Sequence, residues 1–213
     1  MTAVPVIAID GPSASGKGTV AQLVAEKLGF HYLDSGALYR LVALAAMRAG
    51  VPLDGDERLA SVAASLEARF EAGEPVTGAI RDEACSIGAS KVAAWPGVRS
   101  ALLGRQRAFR RSPGLVAEGR DMGSVVFPDS GLKVFLTATV EARAERRYKQ
   151  LKGKGITATL SILLQDLRER DARDAARSVA PLKQCPDARF LDTTAMSATE
   201  AAQRILAWYR GGE

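Results

Sequence analysis

The sequence VPVIAIDGPSASGKGT, residues 4–19, decides the fold of this chain. A run rich in β-branched residues ends at Asp10 and is followed by a G-x-x-x-x-G-K loop that contains Gly11, Gly16 and Lys17. The segment after the lysine has the apolar spacing of an amphipathic helix. Glycines between a strand and a helix let backbone N–H groups turn toward a phosphate, which the helix dipole also favours. The pattern predicts a loop that binds a nucleoside triphosphate; a Gly/Ser-rich turn without a ligand is the alternative.

Length and composition limit the class of protein. The 213 residues suit one domain with insertions. No apolar run reaches the roughly 20 residues of a membrane span, and the first residues lack a secretory signal, so we expect a cytoplasmic protein without a membrane partner. Cys85 and Cys185 lie far apart in the sequence. They are typical of two reduced thiols, with a disulfide or metal pair as the alternative.

The net charge of +5 comes mainly from arginine. Binding to nucleic acid is one explanation. A triphosphate and a nucleotide acceptor, which together carry roughly six negative charges, explain the arginines better because guanidinium groups hold phosphates well. We therefore expect no nucleic-acid partner.

Strand-like and helical patterns alternate along the chain. The strand-like runs are residues 4–9, 31–33, 115–117, 133–136 and 189–191. Nearly continuous apolar strands separated by helices predict an α/β fold, in which a parallel sheet of the P-loop NTPase type carries helices on both faces. Residues 51–96 have weak periodicity and predict an inserted subdomain with short strands or turns. Residues 151–181 contain Gly153 and Gly155 at the start and predict a mobile flap.

The segment LDSGALYR, residues 33–40, follows the second strand-like run. Ser35 and Gly36 can donate backbone N–H groups at a helix N-terminus, and Arg40 follows just over one turn later. Together they predict a second anion-binding pocket. The alternative is a simple N-cap at Ser35 with an arginine that faces solvent.

The segment VAEGRDMG, residues 116–123, follows another buried strand. Glu118 has the strand-end position at which a carboxylate can orient the water ligands of Mg²⁺. Arg120 and Asp121 lie in a turn flanked by glycines and predict further ligand contacts. The alternative is a structural ion pair between these two neighbours.

The segment ERDARDAARSVAP, residues 169–181, carries charged residues at helical spacing. Arg170, Arg173 and Arg177 share one face with Asp174. Like charges on one face repel unless an anion or a carboxylate compensates them. The pattern predicts arginines that bind phosphates, and a solvated mixed-charge helix is the alternative.

With GPSASGKGT, LDSGALYR, EGRDMGSVVFPD and ERDARDAARSVAPL in this order, the sequence resembles the bacterial cytidylate (CMP/dCMP) kinases of the nucleoside monophosphate kinase superfamily. The resemblance implies transfer of the ATP γ-phosphoryl group to CMP or dCMP with Mg²⁺. The alternative is a related small-molecule P-loop kinase with UMP or shikimate as the acceptor. It also implies a monomer with a CORE (about 1–50, 97–150 and 182–213), an NMP-binding insert (about 51–96) and a LID (about 151–181). Between Phe70 and Cys85 the chain is shorter than many members, which predicts a trimmed hairpin.

The resemblance also implies roles for single residues. The catalytic set is Lys17, Arg40, Arg120 and Arg170. The set for ATP is Gly11, Pro12, Ser13, Ala14, Ser15, Gly16, Lys17, Gly18, Thr19 and Arg173. The set for the acceptor is Ser35, Tyr39, Arg40, Ser90, Arg99, Arg120, Asp121, Arg170, Asp174 and Arg177, in which Asp174 would contact the pentose hydroxyls. Thr19 and Glu118 would hold Mg²⁺ through water.

Overall fold

A five-stranded sheet is the framework of the molecule. The structure is a computed structural model that describes residues 3–66, 80, 82–153 and 155–212. The strands are β1 (Val6–Asp10), β2 (His31–Asp34), β3 (Leu115–Gly119), β4 (Leu132–Thr137) and β5 (Arg189–Asp192). Their order across the sheet is β2-β3-β1-β4-β5, and the pairs β1–β3, β1–β4 and β4–β5 are parallel. The predicted strands and the predicted fold class are confirmed.

Eight α-helices are present in the described ranges. They are α1 (Lys17–Leu28), α2 (Ser35–Arg48), α3 (Asp56–Ala64), α4 (Glu83–Val92), α5 (Pro96–Ala108), α6 (Val140–Lys152), α7 (Leu160–Ala175) and α8 (Ala198–Tyr209). A single turn of π-helix spans Met122–Val126. Within these ranges, no helix combines the length and the apolar character needed to cross a membrane.

The first of two compact units contains Met1–Leu33 and Phe109–Glu213. All residues of β1 and β3 are buried, as parallel strands covered on both faces require. Helices α1 and α8 pack on the sheet through an apolar cluster that includes Ile9, Val24 and Ile205. The parallel pairing places Asp10 opposite Gly119, so the loops that follow β1 and β3 leave the same edge of the sheet.

Helices α6 and α7 belong to the same unit and pack against each other. Ala144 and Leu151 of α6 form a small apolar cluster with Leu163 and Leu167 of α7. The connection between the helices includes Gly155, whose φ of 72° favours glycine. Lys154 lies outside the described residues, and the mobility of the predicted flap remains a prediction.

The second compact unit, Asp34–Ala108, is helical in its described part. Helix α2 packs on α4, and α3 packs on α5. The prediction of short strands or turns over 51–96 is wrong for the described part, where α3 and α4 form instead. Leu59, Val62 and Ala63 of α3 are buried at helical spacing, but small residues around them weaken the periodic pattern in the sequence. The predicted insert lies within this unit, and the hairpin prediction falls largely on residues 67–79 and 81, which are outside the described part.

Candidate functional site

The glycine-rich loop lies between the end of β1 and the start of α1. A Cβ at Gly11 would overlap the carbonyl oxygen of Leu136, so this position allows no side chain. Gly16, with φ of 90°, is the N-cap of α1 and provides no side-chain hydrogen bond to the helix. The first N–H groups of α1 are thus left without a side-chain cap, which is the arrangement that suits a bound phosphate.

Lys17 begins α1 and is only 8% exposed. Its Nζ atom donates a hydrogen bond to the carbonyl of Pro12 at 3.2 Å and lies 3.6 Å from Oε2 of Glu118. Glu118 also accepts a hydrogen bond of 3.1 Å from the hydroxyl of Tyr32. The ammonium group is therefore held by a carbonyl oxygen of the loop itself and by a carboxylate oxygen from the end of β3. Tyr32 was not among the predicted site residues.

Two arginines of α6, also absent from the predicted set, fasten the outer side of the loop. Arg143 donates to the carbonyl of Ser13 at 3.1 Å and forms an ion pair with Asp171 of α7. Arg146 donates to the carbonyl of Ser15 at 3.0 Å and also to the carbonyl of Thr193. Carbonyls that are held outward leave the N–H groups of the same peptides directed inward, which favours an anion.

A buried carboxylate gathers the arginines that follow β3 and α7. Asp174 is 1% exposed and accepts from Nε of Arg120 at 2.8 Å and from the guanidinium of Arg177. Burial alone would raise the pKa of Asp174, but the charges of Arg120, Arg177 and Arg170 together outweigh it and hold the pKa below its usual range. The ion pair of Arg120 is thus with Asp174 and not with its neighbour Asp121.

Arg173 lies apart from this cluster. Its side chain is 45% exposed and lies 3.8 Å from Glu169, one turn earlier on α7. Arg177 follows the end of α7 and reaches Asp174 from there. The predicted stripe of three arginines is therefore divided, because Arg173 faces solvent while Arg177 is buried against the carboxylate.

The substitution Asp174→Asn should lower the free energy of unfolding by about 3 kcal/mol at pH 7, because it leaves buried guanidinium groups without their carboxylate. The folded-state pKa of Asp174 is depressed, so its stabilising contribution is complete above the unfolded pKa near 3.8 and is lost as the pH falls through the lower folded pKa. Urea unfolding at several pH values measures this difference.

The matched control is Glu169→Gln on the same helix, which removes a carboxylate that lies 3.8 Å from Arg173 in a pair whose two side chains are both exposed to solvent. We expect little change there, since exposed ion pairs contribute little. An Asp174→Asn protein as stable as the wild type at pH 7 would contradict the assigned role of the buried pair.

Asp10, the last residue of β1, supports the turn that carries Arg120 and Asp121. Its two carboxylate oxygens accept the backbone N–H groups of Met122 and Gly123, each at 2.8 Å. Burial is the main reason that the pKa of Asp10 is raised to about 6. The sequence indicates only that Asp10 ends a strand, because its partners are more than a hundred residues away.

The second compact unit contains other predicted residues. Asp34, rather than Ser35, caps α2 by accepting the N–H of Ala37 at 3.0 Å. The guanidinium of Arg99 lies 5.7 Å from the ring centre of Tyr39, a cation–π contact that brings these two predicted residues together. Both are buried.

Arg40 and Ser90 belong to the same unit. The Cys85 thiol donates to the backbone carbonyl of Arg40, and burial raises the pKa of that thiol. Ser90 is 3% exposed, and its hydroxyl has no hydrogen-bond partner among the described residues. A buried hydroxyl of this kind suits a polar ligand, because leaving it unpaired is unfavourable.

The donor set near the loop fits Mg²⁺ held mainly by water and phosphate. Glu118 supplies one carboxylate at the end of β3, next to Lys17. Thr19 is exposed on α1. A Cβ at Gly18 would lie 2.9 Å from Oε1 of Glu118, so a side chain at residue 18 would displace this carboxylate. One carboxylate with phosphate oxygens is a usual environment for this ion.

Comparison with known proteins gives close relatives over almost the whole chain. The cytidylate kinase family model matches residues 7–210. The chain is 58% identical to a cytidylate kinase of Polynucleobacter asymbioticus, over 99% of this chain and 98% of that protein. It is also 58% identical to a cytidylate kinase of Chromobacterium violaceum, over 97% of this chain and 96% of that protein.

Solved structures of kinases share the fold. A gluconokinase from Sinorhizobium meliloti aligns with a TM-score of 0.51 and 19% identity, over 97% of this chain and 92% of that chain. A shikimate kinase from Acinetobacter baumannii, in complex with shikimate, aligns with a TM-score of 0.50 and 20% identity, over 98% of this chain and 94% of that chain. At such identities the likeness concerns the fold alone. The match to the family model and the relatives at 58% identity show that the chain belongs to the cytidylate kinase family.

Proposed function

We propose that the protein transfers the γ-phosphoryl group of ATP to CMP or dCMP and releases ADP with CDP or dCDP. The observation that carries the proposal is a link between two parts of the site. Asp10, at the start of the glycine-rich loop that we propose as the phosphate-binding loop, accepts a hydrogen bond from the turn after β3. Arg120, which directly precedes that turn, pairs with the buried Asp174. A triphosphate site and an arginine cluster so linked suit a reaction between two phosphorylated substrates. Membership of the cytidylate kinase family supports the choice of acceptor.

The donor side rests on the loop and on Lys17. Inward N–H groups and the N-terminus of α1 would hold the β- and γ-phosphates of ATP, and Lys17 would neutralise charge on the transferring group. Mg²⁺, held by Glu118 and Thr19 through water, would supply charge neutralisation between the phosphates when bound. Arg173, which is exposed on α7, is proposed to contact ATP.

The acceptor side rests on arginines. Arg40, Arg120 and Arg170 are proposed to bind the phosphate of CMP, because planar guanidinium groups form paired hydrogen bonds with phosphate oxygens. The attacking oxygen already belongs to an anionic phosphate, so the reaction requires no strong general base. Phosphoryl transfer passes through a loose transition state, and positioning with charge stabilisation supplies most of the catalysis.

The remaining acceptor residues are proposed to recognise the nucleoside. Asp174 would contact the pentose hydroxyls from its place beneath Arg120 and Arg177. The unpartnered hydroxyl of Ser90 in the described unit supports a polar contact with the base. The other residues of this set are Ser35, Tyr39, Arg99 and Asp121.

A coupled assay with CMP, dCMP, UMP, AMP and shikimate as acceptors tests the proposal. We expect the highest kcat/KM with CMP or dCMP. A higher kcat/KM with UMP or shikimate would overturn the choice of acceptor and favour a related small-molecule kinase. ATP turnover stimulated by RNA or DNA instead of CMP would overturn the reaction class.

We also propose a monomer in the cytoplasm. One chain supplies every residue of the two proposed nucleotide sites, and the free thiols of Cys85 and Cys185 agree with a reducing compartment. Light scattering of the purified protein tests the first point, since a stable dimer would contradict it.

The substitution Gly18→Ala should lower kcat about tenfold or more, because the added Cβ displaces Glu118 from its contact with Lys17. That Cβ would lie 2.9 Å from Oε1 of Glu118 and 3.7 Å from the hydroxyl of Tyr32. Steady-state rates with saturating ATP and CMP measure the effect.

Gly104→Ala is the matched control. Gly104 is exposed within α5, and no described atom lies within 4 Å of a Cβ built there. Both substitutions remove a helical glycine, which favours the folded state by about 0.5–1 kcal/mol. Wild-type kcat in Gly18→Ala would show that the contact of Glu118 with Lys17 does not require a glycine at residue 18.

A further inference from the structure

Asp10 links the glycine-rich loop to the turn after β3, but the proposed function gives the charge of its carboxylate no role. The carboxylate lies at the end of β1, immediately before the phosphate-binding loop, and is 6% exposed. Oδ1 accepts the N–H of Met122 and Oδ2 accepts the N–H of Gly123. These two residues begin the π-helical turn directly after Arg120 and Asp121.

Asp10 provides a side-chain cap that the N-cap residue of the turn does not provide. Asp121 is its N-cap but gives no side-chain hydrogen bond to the turn, and its backbone carbonyl accepts the N–H of Val125 at 2.9 Å. Asp10 therefore supplies the cap from another strand, with one oxygen for each N–H group. This double hydrogen bond holds the first two residues of the turn, which directly follow Arg120 and Asp121.

We infer that Asp10 is a positioning residue for the acceptor: its ionised carboxylate holds the turn that carries Arg120 and Asp121, so that affinity for CMP depends on the charge of Asp10. The inference rests on the proposed function, which assigns these two residues to the acceptor. The phosphate-binding loop has separate supports, because Arg143 and Arg146 hold its carbonyls at Ser13 and Ser15. The affinity for ATP should therefore be nearly independent of Asp10.

Burial of the carboxylate makes its ionisation sensitive to pH near neutrality. Desolvation raises the pKa of Asp10 to about 6, against the opposing effect of its two backbone hydrogen bonds. The charged and titratable groups that face it are Asp121 and Arg120 in the turn, Cys185, and Lys133 beside Gly123. Burial also raises the pKa of the Cys185 thiol, so that group stays neutral in this range.

Asparagine reproduces the hydrogen-bonding pattern of a protonated aspartic acid. In each, one carbonyl oxygen accepts fully, whereas the second group carries hydrogen and accepts weakly or not at all, so the hydrogen bond to one of the two N–H groups is weakened or lost. Asp10→Asn should therefore raise KM for CMP about tenfold at pH 8, because a buried N–H loses its acceptor. KM for ATP should change less than about twofold, and Asp129→Asn, an exposed carboxylate paired with Arg110, should leave both values unchanged.

The pH profile separates positioning from a general structural role. The ratio of KM for CMP between Asp10→Asn and the wild type should fall from about ten at pH 8 toward one below pH 6, because Asp10 of the wild type then becomes protonated as well. The phosphate of CMP itself titrates at a pKa of about 6, but this effect cancels in the ratio. A ratio that stays constant with pH, or an equal rise in KM for ATP, would overturn the inference.

A measurement on the wild-type protein decides the question even if Asp10→Asn does not fold. The amide proton resonances of Met122 and Gly123 should shift together with a midpoint near pH 6, the pKa of Asp10. Amide shifts that do not change between pH 5 and pH 8 would overturn the inference. Wild-type protein that is inactive on CMP but shows this shared titration would instead overturn the proposed function and leave the contact of Asp10 supported.

Discussion

Lys17→Ala should lower kcat for phosphorylation of CMP by about 10³-fold or more. The ammonium group is buried over the glycine-rich loop, 3.2 Å from the carbonyl of Pro12 and 3.6 Å from Glu118. In the proposed function, a compact positive charge at this place stabilises the charge that develops on the transferring phosphoryl group, and alanine removes it. Initial rates at saturating ATP and CMP measure the loss.

The fold should survive this change. The loop is fastened by Arg143 and Arg146 through carbonyls of Ser13 and Ser15, and neither contact involves Lys17. Lys27→Ala, in the exposed last turn of the same helix, is the matched control and should keep wild-type kcat. A Lys17→Ala protein with wild-type kcat would show that the charge at this position does not act on the reaction.

The sequence predicts the sheet and the loop well because both depend on local patterns. Continuous apolar runs indicate buried parallel strands. The glycines at residues 11 and 16 indicate a close turn, whatever the rest of the sequence contains. Helix α3 is harder to recognise, because alanine and serine around Leu59 and Val62 give little contrast between its two faces. Alanine has a high intrinsic helix propensity, and this propensity indicates the helix where the periodicity does not.

The site is less predictable from sequence than the loop, because its contacts join distant segments. Met122 is 112 residues from Asp10, and Arg143 is 130 residues from Ser13. Nothing in the local sequence of either pair indicates the other partner. The arginines near residue 170 could be predicted as a group from their spacing, but their common partner Asp174 and the separate place of Arg173 follow from tertiary packing.

Arg170→Ala should lower kcat/KM for CMP by about 10³-fold, mainly through a higher KM for CMP and a lower kcat. Burial alone would raise the pKa of Asp174, but the charges of Arg120, Arg177 and Arg170 together hold this pKa below its usual range. Three guanidinium groups near one carboxylate leave an excess of positive charge, which a phosphate can neutralise by paired hydrogen bonds. If these arginines bind the acceptor as proposed, removing one of them weakens the binding of the acceptor and of the transferring group together.

Arg168→Ala on the same helix separates this effect from a general loss of charge. The side chain of Arg168 is 65% exposed and lies 3.4 Å from Glu141, an exposed pair that contributes little to stability. Both variants remove one arginine from α7, so a change in the charge of the helix alone would lower kcat/KM equally in the two. We expect wild-type kcat/KM in Arg168→Ala and unchanged KM for ATP in Arg170→Ala. Equal losses in the two variants would mean that Arg170 acts through the overall field and does not bind the acceptor phosphate.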